Sequence, residues 1–414
     1  MSAAASKPPE LPPILNSAHI AANGYPHEEW KRLRASDPVH RFEEGPVPFW
    51  AVTKHADIME VGKHPERFLN APRLVITPVE REEAFRPPPT LIEMDPPKHR
   101  EYRKIISSRF TPRALKRIHA DIDRIAKQIV DDLLDQGGAS IDFVEHVSAP
   151  LPIAVIAWLL GVPESDWKLL FDWTNRTIGA DDPEYNLDGQ PGPVVARQSM
   201  IELFQYFAKL VEEKKKNPAD DLISLFAHAE VNGEKLPPLD VLAYCQIIVI
   251  AGNETTRNAT SGGMLAFIEH QDQLRKLQQE PALLGSAIEE ILRWTSPIIH
   301  FARTAAADTE LRGKRIRKGD VLALFYPSAN RDEEVFERPF YFDITRDPNR
   351  HLAFGVGEHF CAGAHLARLE LEFAFKYLLP RIDEIEVTGP VERLHSNLVG
   401  GIKHLPVRYS LKPA

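Results

Sequence analysis

One long apolar segment restricts the possible folds of this chain more than any other feature. The segment PPLDVLAYCQIIVIAGNETTRN begins at Pro237, and its helical pattern continues to about Glu269. At 1.5 Å per residue, this helix is about 45 Å long. Its stretch AYCQIIVI is too apolar to lie on a surface. The sequence therefore predicts a long, buried helix.

Helical patterns dominate the chain from about residue 98 to residue 290. RALKRIHADIDRIAKQIVDDLLDQGG and QSMIELFQYFAKLVEEKKK both repeat apolar residues at spacings of three and four. After residue 300, alternating segments with turn signals at Arg312-Gly313 and Lys318-Gly319 predict short strands. We therefore predict a mainly α protein with a smaller β part.

Two regions are predicted along the chain. The first 18 residues are rich in proline, which cannot donate to a helix or a ladder, so residues 1–18 are predicted to be an extended lead-in. Residues 19–414 contain no repeat or low-complexity block that would divide them. We predict that residues 19–414 form a single catalytic domain.

The composition excludes several classes of protein. The chain has 414 residues and a formal net charge of −9, which argues against nucleic acid as the main partner. Two cysteines cannot form a disulfide framework, so we expect a reducing, cytoplasmic location. The N-terminus lacks the apolar core of a signal peptide. The most apolar stretch, Ala149–Val162, is too short to span a bilayer and predicts a buried helix, so no membrane partner is expected.

A glycine-rich run near the C-terminal end surrounds one of the two cysteines. FGVGEHFCAG extends from Phe354 to Gly363 and places Cys361 just before a predicted helix. Unpaired N–H groups and the dipole at a helix N-terminus favour a thiolate. Glycines allow tight bends and the close approach of a flat ligand.

Several interpretations of this run remain open from the residues alone. Cys361 could be a buried cysteine in a turn, a nucleophile paired with His365, or a zinc ligand together with His359 and His365. GVGEHF resembles a dinucleotide loop, but Phe360 stands at the position of the third glycine. The remaining interpretation is an axial thiolate on a haem iron, which favours O–O cleavage.

A second motif lies in the middle of the long helix. In IAGNETTRN, Thr255 is positioned to return its hydroxyl to the carbonyl of Ala251, which bends or opens a helix. A gap flanked by the acid Glu254 and the hydroxyl of Thr255 would suit bound dioxygen and a proton relay. The alternative is a polar turn that faces solvent, but the apolar run before it disfavours this.

Two further segments are less specific. Glu290 and Arg293 share a helix face in EEILRW, as ordinary salt bridges do. The segment KHREYRKIISSRFTPRALKR, from Lys98 to Arg117, has eight Lys/Arg and one Glu. In an acidic chain, this segment predicts a local positive patch that suits an acidic partner or carboxylates.

Taken together and in this order, the four segments closely resemble the cytochrome P450 family of haem-thiolate monooxygenases. FGVGEHFCAG agrees with the family pattern FGxGxHxCxG, and AGNETT agrees with the oxygen-activating pattern AGx(D/E)T(T/S). Glu290-x-x-Arg293 corresponds to the family's core ion pair, and His99-x-x-x-Arg103 to its haem-contacting helix. The resemblance extends from about residue 20 to the end of the chain and implies the cytochrome P450 fold.

The resemblance implies haem b as the cofactor and a role for each matching residue. Cys361 would be the proximal iron ligand. Glu254 and Thr255 would deliver protons to oxygen; many relatives have Asp at the position of Glu254. Residues expected to contact the haem or hold its propionates are His99, Arg103, Ala251, Gly252, Arg303, Phe354, Gly355 and His359. Residues expected to form a structural ion-pair cluster are Glu290, Arg293 and Arg346.

The resemblance also implies a hydrophobic substrate and separate electron donors. Apolar pocket walls are expected from the 70–92 loop and from Val249, Ile298, Ile299, Leu398 and Val399. NETTRN resembles bacterial members that oxidise terpenoids, steroid or branched-lipid side chains, or alkyl chains. A ferredoxin and an NAD(P)H-dependent reductase are expected to supply electrons, the ferredoxin docking on a basic surface that includes Arg109, Arg113, Lys116 and Arg117. The alternatives are a peroxide-driven haem enzyme and a non-catalytic haem sensor.

Overall fold

The computed structural model describes residues 11–43, 47–76, 88–135, 140–186 and 189–412. Helices make up most of this part of the chain. Their bounds are α1 (Ser17–Asn23), α2 (His27–Ser36), α3 (His55–Lys63), α4 (Lys98–Ser107), α5 (Pro112–Leu134), α6 (Pro150–Leu160), α7 (Trp167–Ile178), α8 (Gly192–Lys216), α9 (Leu222–His228), α10 (Pro238–Glu269), α11 (Gln271–Gln279), α12 (Leu284–Thr295), α13 (Tyr326–Ala329) and α14 (Ala364–Leu378).

The strands are short and form five small sheets. Their bounds are β1 (Val39–Phe42), β2 (Phe49–Val52), β3 (Phe68–Leu69), β4 (Ser140–Asp142), β5 (Glu230–Val231), β6 (Glu234–Lys235), β7 (His300–Ala305), β8 (Thr309–Leu311), β9 (Lys314–Ile316), β10 (Val321–Phe325), β11 (Ile382–Val387), β12 (Glu392–Arg393), β13 (Ile402–His404) and β14 (Pro406–Leu411). The largest sheet has the order β1-β2-β10-β7-β3, with only β2 and β10 parallel. The others are β11-β14-β4 and the hairpins β12-β13, β5-β6 and β8-β9.

The predicted long helix is α10, which has 32 residues and ends at Glu269 as the sequence indicates. Pro238 occupies its first turn, where a missing N–H costs nothing. The helix is apolar nearly all round, as expected of an element in the centre of a core. It packs against α6, α7, α12 and α14. Among the described helices, none is long and apolar enough to cross a membrane.

The mainly α fold with a smaller β part is confirmed, but the N-terminal lead-in is not extended throughout. Ile14 and Leu15 are fully buried beside Trp30, and α1 already begins at Ser17. The prediction of an extended lead-in is therefore wrong for residues 13–15, which form a turn, and for residues 17–18, which begin α1. Residues 1–10 of that prediction, and residues 77–87 of the predicted 70–92 pocket loop, lie outside the described residues.

Candidate functional site

The cysteine loop is held in a tight conformation before α14. A short 3₁₀ turn, Gly357–His359, precedes Cys361, whose N–H donates to the carbonyl of Phe354 at 2.9 Å. Gly355 and Gly357 have φ values of 70° and 76°. A Cβ on Gly357 would also overlap the backbone of Gly62 in α3. Only glycine therefore fits at position 357.

The surroundings of Cys361 act on its thiol in opposite directions. Burial raises the pKa of Cys361, while the N–H of Gly363 and the guanidinium groups of Arg103 and Arg368 oppose the rise. The net effect is a pKa above the ordinary value, so the helix terminus alone does not generate the expected thiolate. A coordinated metal ion deprotonates a thiol outright. The loop thus suits a cysteine that ionises by binding metal.

The zinc interpretation of this loop is not supported. No group of three metal-ligating side chains within the described part of the chain includes Cys361. The ring of His359 instead stacks on the ring of His99, with centroids 4.0 Å apart. His359 is therefore engaged by another imidazole and does not converge with Cys361 and His365.

Two histidines beside the cysteine loop, the buried His99 and the half-buried His359, have ring nitrogens without hydrogen-bond partners. Neither ring nitrogen of His99 has a hydrogen-bond partner, and Nε2 of His359 has none. Burial, followed by Arg103, lowers the pKa of His99. Burial, followed by His99, Arg303 and Arg103, lowers the pKa of His359 to about 2. Such orphaned buried donors are costly unless a bound group satisfies them.

Two arginines complete this positive cluster. Arg303 is buried and donates to the carbonyl of Ala302 at 2.8 Å, and burial lowers its pKa. Arg103 donates to the carbonyl of Phe360 at 2.7 Å. Neither forms an ion pair with another described residue. A bound dianion would supply the missing negative charge, so His99, Arg103, Arg303 and His359 fit the two propionates of a haem.

One face of α10 is open in the middle of the buried helix. Ala251 is exposed, and Ile248, Gly252 and Thr255 are partly exposed, whereas Asn253 is buried. Residues 248, 251, 252 and 255 share a helix face by their spacing. Thr255 Oγ1 donates to the carbonyl of Ala251 at 2.8 Å, the bond that the sequence predicts. The motif therefore borders a cleft.

Gly252 serves the packing of α10 as well as the cleft. A Cβ at this position would overlap the side chain of Ile156 in α6. The glycine thus lets α6 approach α10 closely, a contact that sequence reasoning missed.

Glu254 does not share the open face with Thr255. It is buried and forms an ion pair with Arg257, which also donates to Asn175 Oδ1 of α7 at 2.8 Å. Burial raises the pKa of Glu254, and Arg257 opposes the rise. The expectation that Glu254 and Thr255 flank one gap is therefore wrong in this conformation, because successive helical residues point about 100° apart.

Only some of the residues predicted to form the pocket walls have accessible side chains. Ile298 and Leu398 remain partly exposed. Val249 is fully buried in the helical core, and Ile299 is fully buried against the cluster that contains Trp30. Val399 is also buried and bridges Ile298. The assignments of Val249, Ile299 and Val399 to the cleft surface are therefore corrected.

Ile248, and not the predicted Val249, lies on the open face of α10. Its position follows from the helical period, because it lies three residues before Ala251 and seven before Thr255. The same periodicity, applied from Thr255 backwards, could have identified it from the sequence.

The ion-pair cluster centres on the fully buried Glu290 and Arg293. Arg293 binds both carboxylate oxygens of Glu290, at 2.7 Å each. Arg346 Nε and Asn349 Nδ2 donate to the same carboxylate at 3.1 and 3.0 Å. Arg293 also donates to the carbonyls of Asn330 and Pro339, at 2.8 and 2.9 Å. The cluster therefore joins α12 to the segment that leads into the cysteine loop.

One contact of the loop was not predicted from the sequence. The guanidinium of Arg368 in α14 lies over the ring of Phe354, 4.6 Å from its centroid. Arg368 also binds Glu289 of α12 through Nε at 2.5 Å. The loop is thus clamped from both α12 and α14.

Known proteins resemble this chain over nearly its whole length. The family model described as Cytochrome P450 matches residues 6–397. The steroid C26-monooxygenase of Mycobacterium tuberculosis is 39% identical over 97% of this chain and 94% of that protein. Cytochrome P450-terp of a Pseudomonas species is 37% identical over 97% of this chain and 98% of its own. The solved structure of a Mycobacterium marinum cytochrome P450 with pseudoionone is 36% identical, with a TM-score of 0.89 over 98% of this chain and 100% of that one.

A family match of this extent shows which cofactor the chain binds. Members of the family bind haem b through a cysteine thiolate. The chain therefore belongs to the cytochrome P450 family, the haem-thiolate monooxygenases that insert one oxygen atom of O2 into a C–H bond of a hydrophobic molecule.

Proposed function

We propose that this chain hydroxylates a terpenoid, a steroid or a branched or alkyl lipid, with Cys361 as the thiolate ligand of its haem. The observation that carries the proposal is that His99 and His359 beside the cysteine loop have ring nitrogens without hydrogen-bond partners, next to the buried Arg303. When bound, the haem supplies the oxidising chemistry, and the protein supplies ligation, orientation and protons.

Thr255 is the proton-handling group on the open face. Its hydroxyl now donates its one proton to the carbonyl of Ala251, so it has to rotate away from that bond before it can hold the proton toward the cleft. Glu254 lies one position away, on the side of α7, and is the acid from which that proton is replaced. This transfer requires Glu254 to leave Arg257, because the ion pair now occupies its carboxylate.

Replacing Thr255 with alanine tests this role. A positioned proton donor contributes about 10²–10⁴-fold, so product formation should become a minor outcome while oxygen consumption continues and hydrogen peroxide accumulates. Thr260→Ala is the matched control, because Thr260 donates an equivalent bond to the carbonyl of Thr256 from a buried position. Product formation that stays tightly coupled in the Thr255 variant would favour a peroxide-driven enzyme.

The cleft surface supports an apolar substrate. The accessible apolar side chains that we assign to this surface belong to Ile248, Ala251, Ile298 and Leu398. Relatives include a steroid C26-monooxygenase, cytochrome P450-terp and a linalool 8-monooxygenase. Spectral titration of the purified holoenzyme with terpenoids, steroids, fatty acids and alkylaromatics should therefore give saturable shifts with members of the first two classes. Shifts confined to polar compounds would contradict the proposal.

Ile248 lies on the open face of α10 and its neighbour Val249 lies in the core, so variants of the two distinguish cleft contacts from core packing. Ile248→Ala should weaken binding of an apolar ligand by up to about 2 kcal/mol, because it removes three buried carbon groups from the contact. Val249→Ala should instead lower the free energy of unfolding by about 2 kcal/mol and leave ligand affinity unchanged. Ligand titration and urea denaturation of both variants measure the two effects. The reverse pattern would show that Val249 lines the cleft.

Electrons are proposed to arrive from an acidic ferredoxin and its NAD(P)H-dependent reductase. Arg100 of α4 is paired with Glu358 in the cysteine loop, and Lys104 lies one turn further along the same helix face. Phe360, next to Cys361 in the loop, exposes 43% of its surface. Arg109, Arg113 and Arg117 line a groove beside Trp158, where Arg109 is paired with Asp220 at 2.5 Å, so the proposed docking surface centres instead on Arg100 and Lys104 at the cysteine loop.

Charge reversal at Lys104 tests this docking surface. Lys104→Glu should raise the apparent KM for ferredoxin and flatten its dependence on salt, because an attraction between opposite charges is removed. Lys209→Glu, on the outer side of α8, is the control and should leave both unchanged. Unaltered reduction kinetics in the Lys104 variant would place the donor elsewhere.

The two unpaired cysteines support the proposed cytoplasmic location.

A further inference from the structure

Three metal-ligating side chains from distant parts of the sequence meet at one edge of the molecule. Glu184 belongs to the connection between α7 and α8, Glu392 begins β12, and His404 ends β13. One ligand atom of each lies within 4.8 Å of the others. This is the one such group of three found among the described residues. It involves neither Cys361 nor the open face of α10.

The imidazole of His404 is already oriented for metal binding. Its Nδ1 is hydrogen-bonded to Asp142 Oδ2 at 2.5 Å, and its Nε2 faces both carboxylate oxygens of Glu184 at 3.2 Å. The other oxygen of Asp142 accepts from the N–H groups of Val144 and Leu405, at 2.9 and 3.0 Å. A carboxylate that fixes one ring nitrogen while the other faces the ligand set is the arrangement that supports histidine at metal centres.

The cluster also carries more negative than positive charge. Lys403 donates to Asp182 at 3.0 Å and to Glu184 at 2.8 Å, and Lys403 and the imidazole of His404 are the two basic groups among these carboxylates. Asp142 and Glu392 add two more carboxylates. The backbone of Glu392 pairs with that of His404 in the β12-β13 ladder, but within the described part of the chain its exposed carboxylate has neither a hydrogen bond nor an ion pair. A divalent cation would neutralise this excess.

We propose that Glu184, Glu392 and His404 form a binding site for a divalent transition-metal ion of the zinc type, with Asp142 as the positioning residue for the imidazole. One imidazole nitrogen and two carboxylates suit Zn²⁺, which binds nitrogen and oxygen ligands at four-coordinate sites with room for water. Mg²⁺ prefers an all-oxygen octahedral shell and keeps its water, so the site disfavours it. The ion would join the connection between α7 and α8 to the hairpin that carries Leu398.

Calorimetric titration of the untagged, haem-loaded protein with ZnCl2 tests the site. The haem-loaded form is required because bound haem occupies Cys361. We expect one saturable Zn²⁺ per chain and no comparable signal with MgCl2. Glu392→Gln removes a ligand that has no other partner in the described structure, and His404→Gln removes the imidazole. Loss of a ligand or of its supporting carboxylate should weaken binding by roughly 10- to 100-fold, so Asp142→Asn should do so as well.

His64 provides the matched control. It lies 3.5 Å from Glu60 and 3.1 Å from Glu66, yet these three side chains do not converge on one point. His64→Gln should therefore leave the affinity for Zn²⁺ unchanged. Absence of saturable Zn²⁺ uptake, equal binding of Mg²⁺, or wild-type affinity in both the Glu392 and His404 variants would overturn the assignment. Because the readout is metal binding, the result is independent of the proposed hydroxylation.

Discussion

Replacing Cys361 with serine is expected to abolish monooxygenase activity and the spectrum of a haem-thiolate protein. A hydroxyl on an otherwise unchanged loop does not provide the anionic sulfur that pushes electron density onto the iron. Gly355, Gly357 and the stacked His99 and His359 are untouched by the change, so the loop and the propionate cluster should persist. We therefore expect haem binding to weaken while the fold, followed by far-UV circular dichroism, is retained.

The second cysteine is the matched control for this experiment. Cys245 lies in the same chain but is fully buried in α10, where it packs with the helical core. Burial raises its pKa above the ordinary range, so it behaves as a small apolar side chain. Cys245→Ala should keep both the spectrum and the activity. A Cys361→Ser protein that retained the spectrum would show that another residue ligates the iron.

Replacing Glu290 with alanine is expected to lower the free energy of unfolding by about 3–5 kcal/mol. The change leaves the fully buried Arg293 without the two hydrogen bonds it now makes to Glu290, and an uncompensated buried charge costs this much. A loss of that size is a large fraction of the stability of a typical domain. Urea denaturation, followed by circular dichroism, measures the change, and haem retention should fall in parallel.

An exposed ion pair gives the comparison for this prediction. Lys168 binds Asp172 at 3.2 Å on the surface of α7, where solvent screens the charges. Lys168→Ala should therefore cost less than about 1 kcal/mol. If Glu290→Ala were as mild as Lys168→Ala, the cluster of Glu290, Arg293 and Arg346 would not hold the cysteine loop in place.

The elements that the sequence predicts well are those whose signals are local. The helix α10 ends at the predicted Glu269, and its Thr255 bonds to Ala251 as its spacing requires. The cysteine loop follows from its glycines, two of which have positive φ. In each case, neighbouring residues in the sequence determine the geometry.

The errors concern which way a side chain faces, and this depends on packing between distant segments. Val249 and Ile299 are as apolar as Ile248 and Ile298, yet they are buried. The helical core that includes α6 covers Val249, and the cluster that contains Trp30 covers Ile299. The partner of Glu254 is Arg257, three residues further along the helix, a spacing that the sequence shows. Arg257 also donates to Asn175, and only the packing of α7 on α10 brings Asn175 to it.

The bond between the sulfur at position 361 and a porphyrin iron is tested most directly by one spectrum. Freshly purified wild-type protein, reduced and exposed to carbon monoxide, should show the strongly red-shifted Soret band that a thiolate ligand produces. A Soret band at the position typical of a histidine-ligated haem protein, or the absence of haem, would contradict the account.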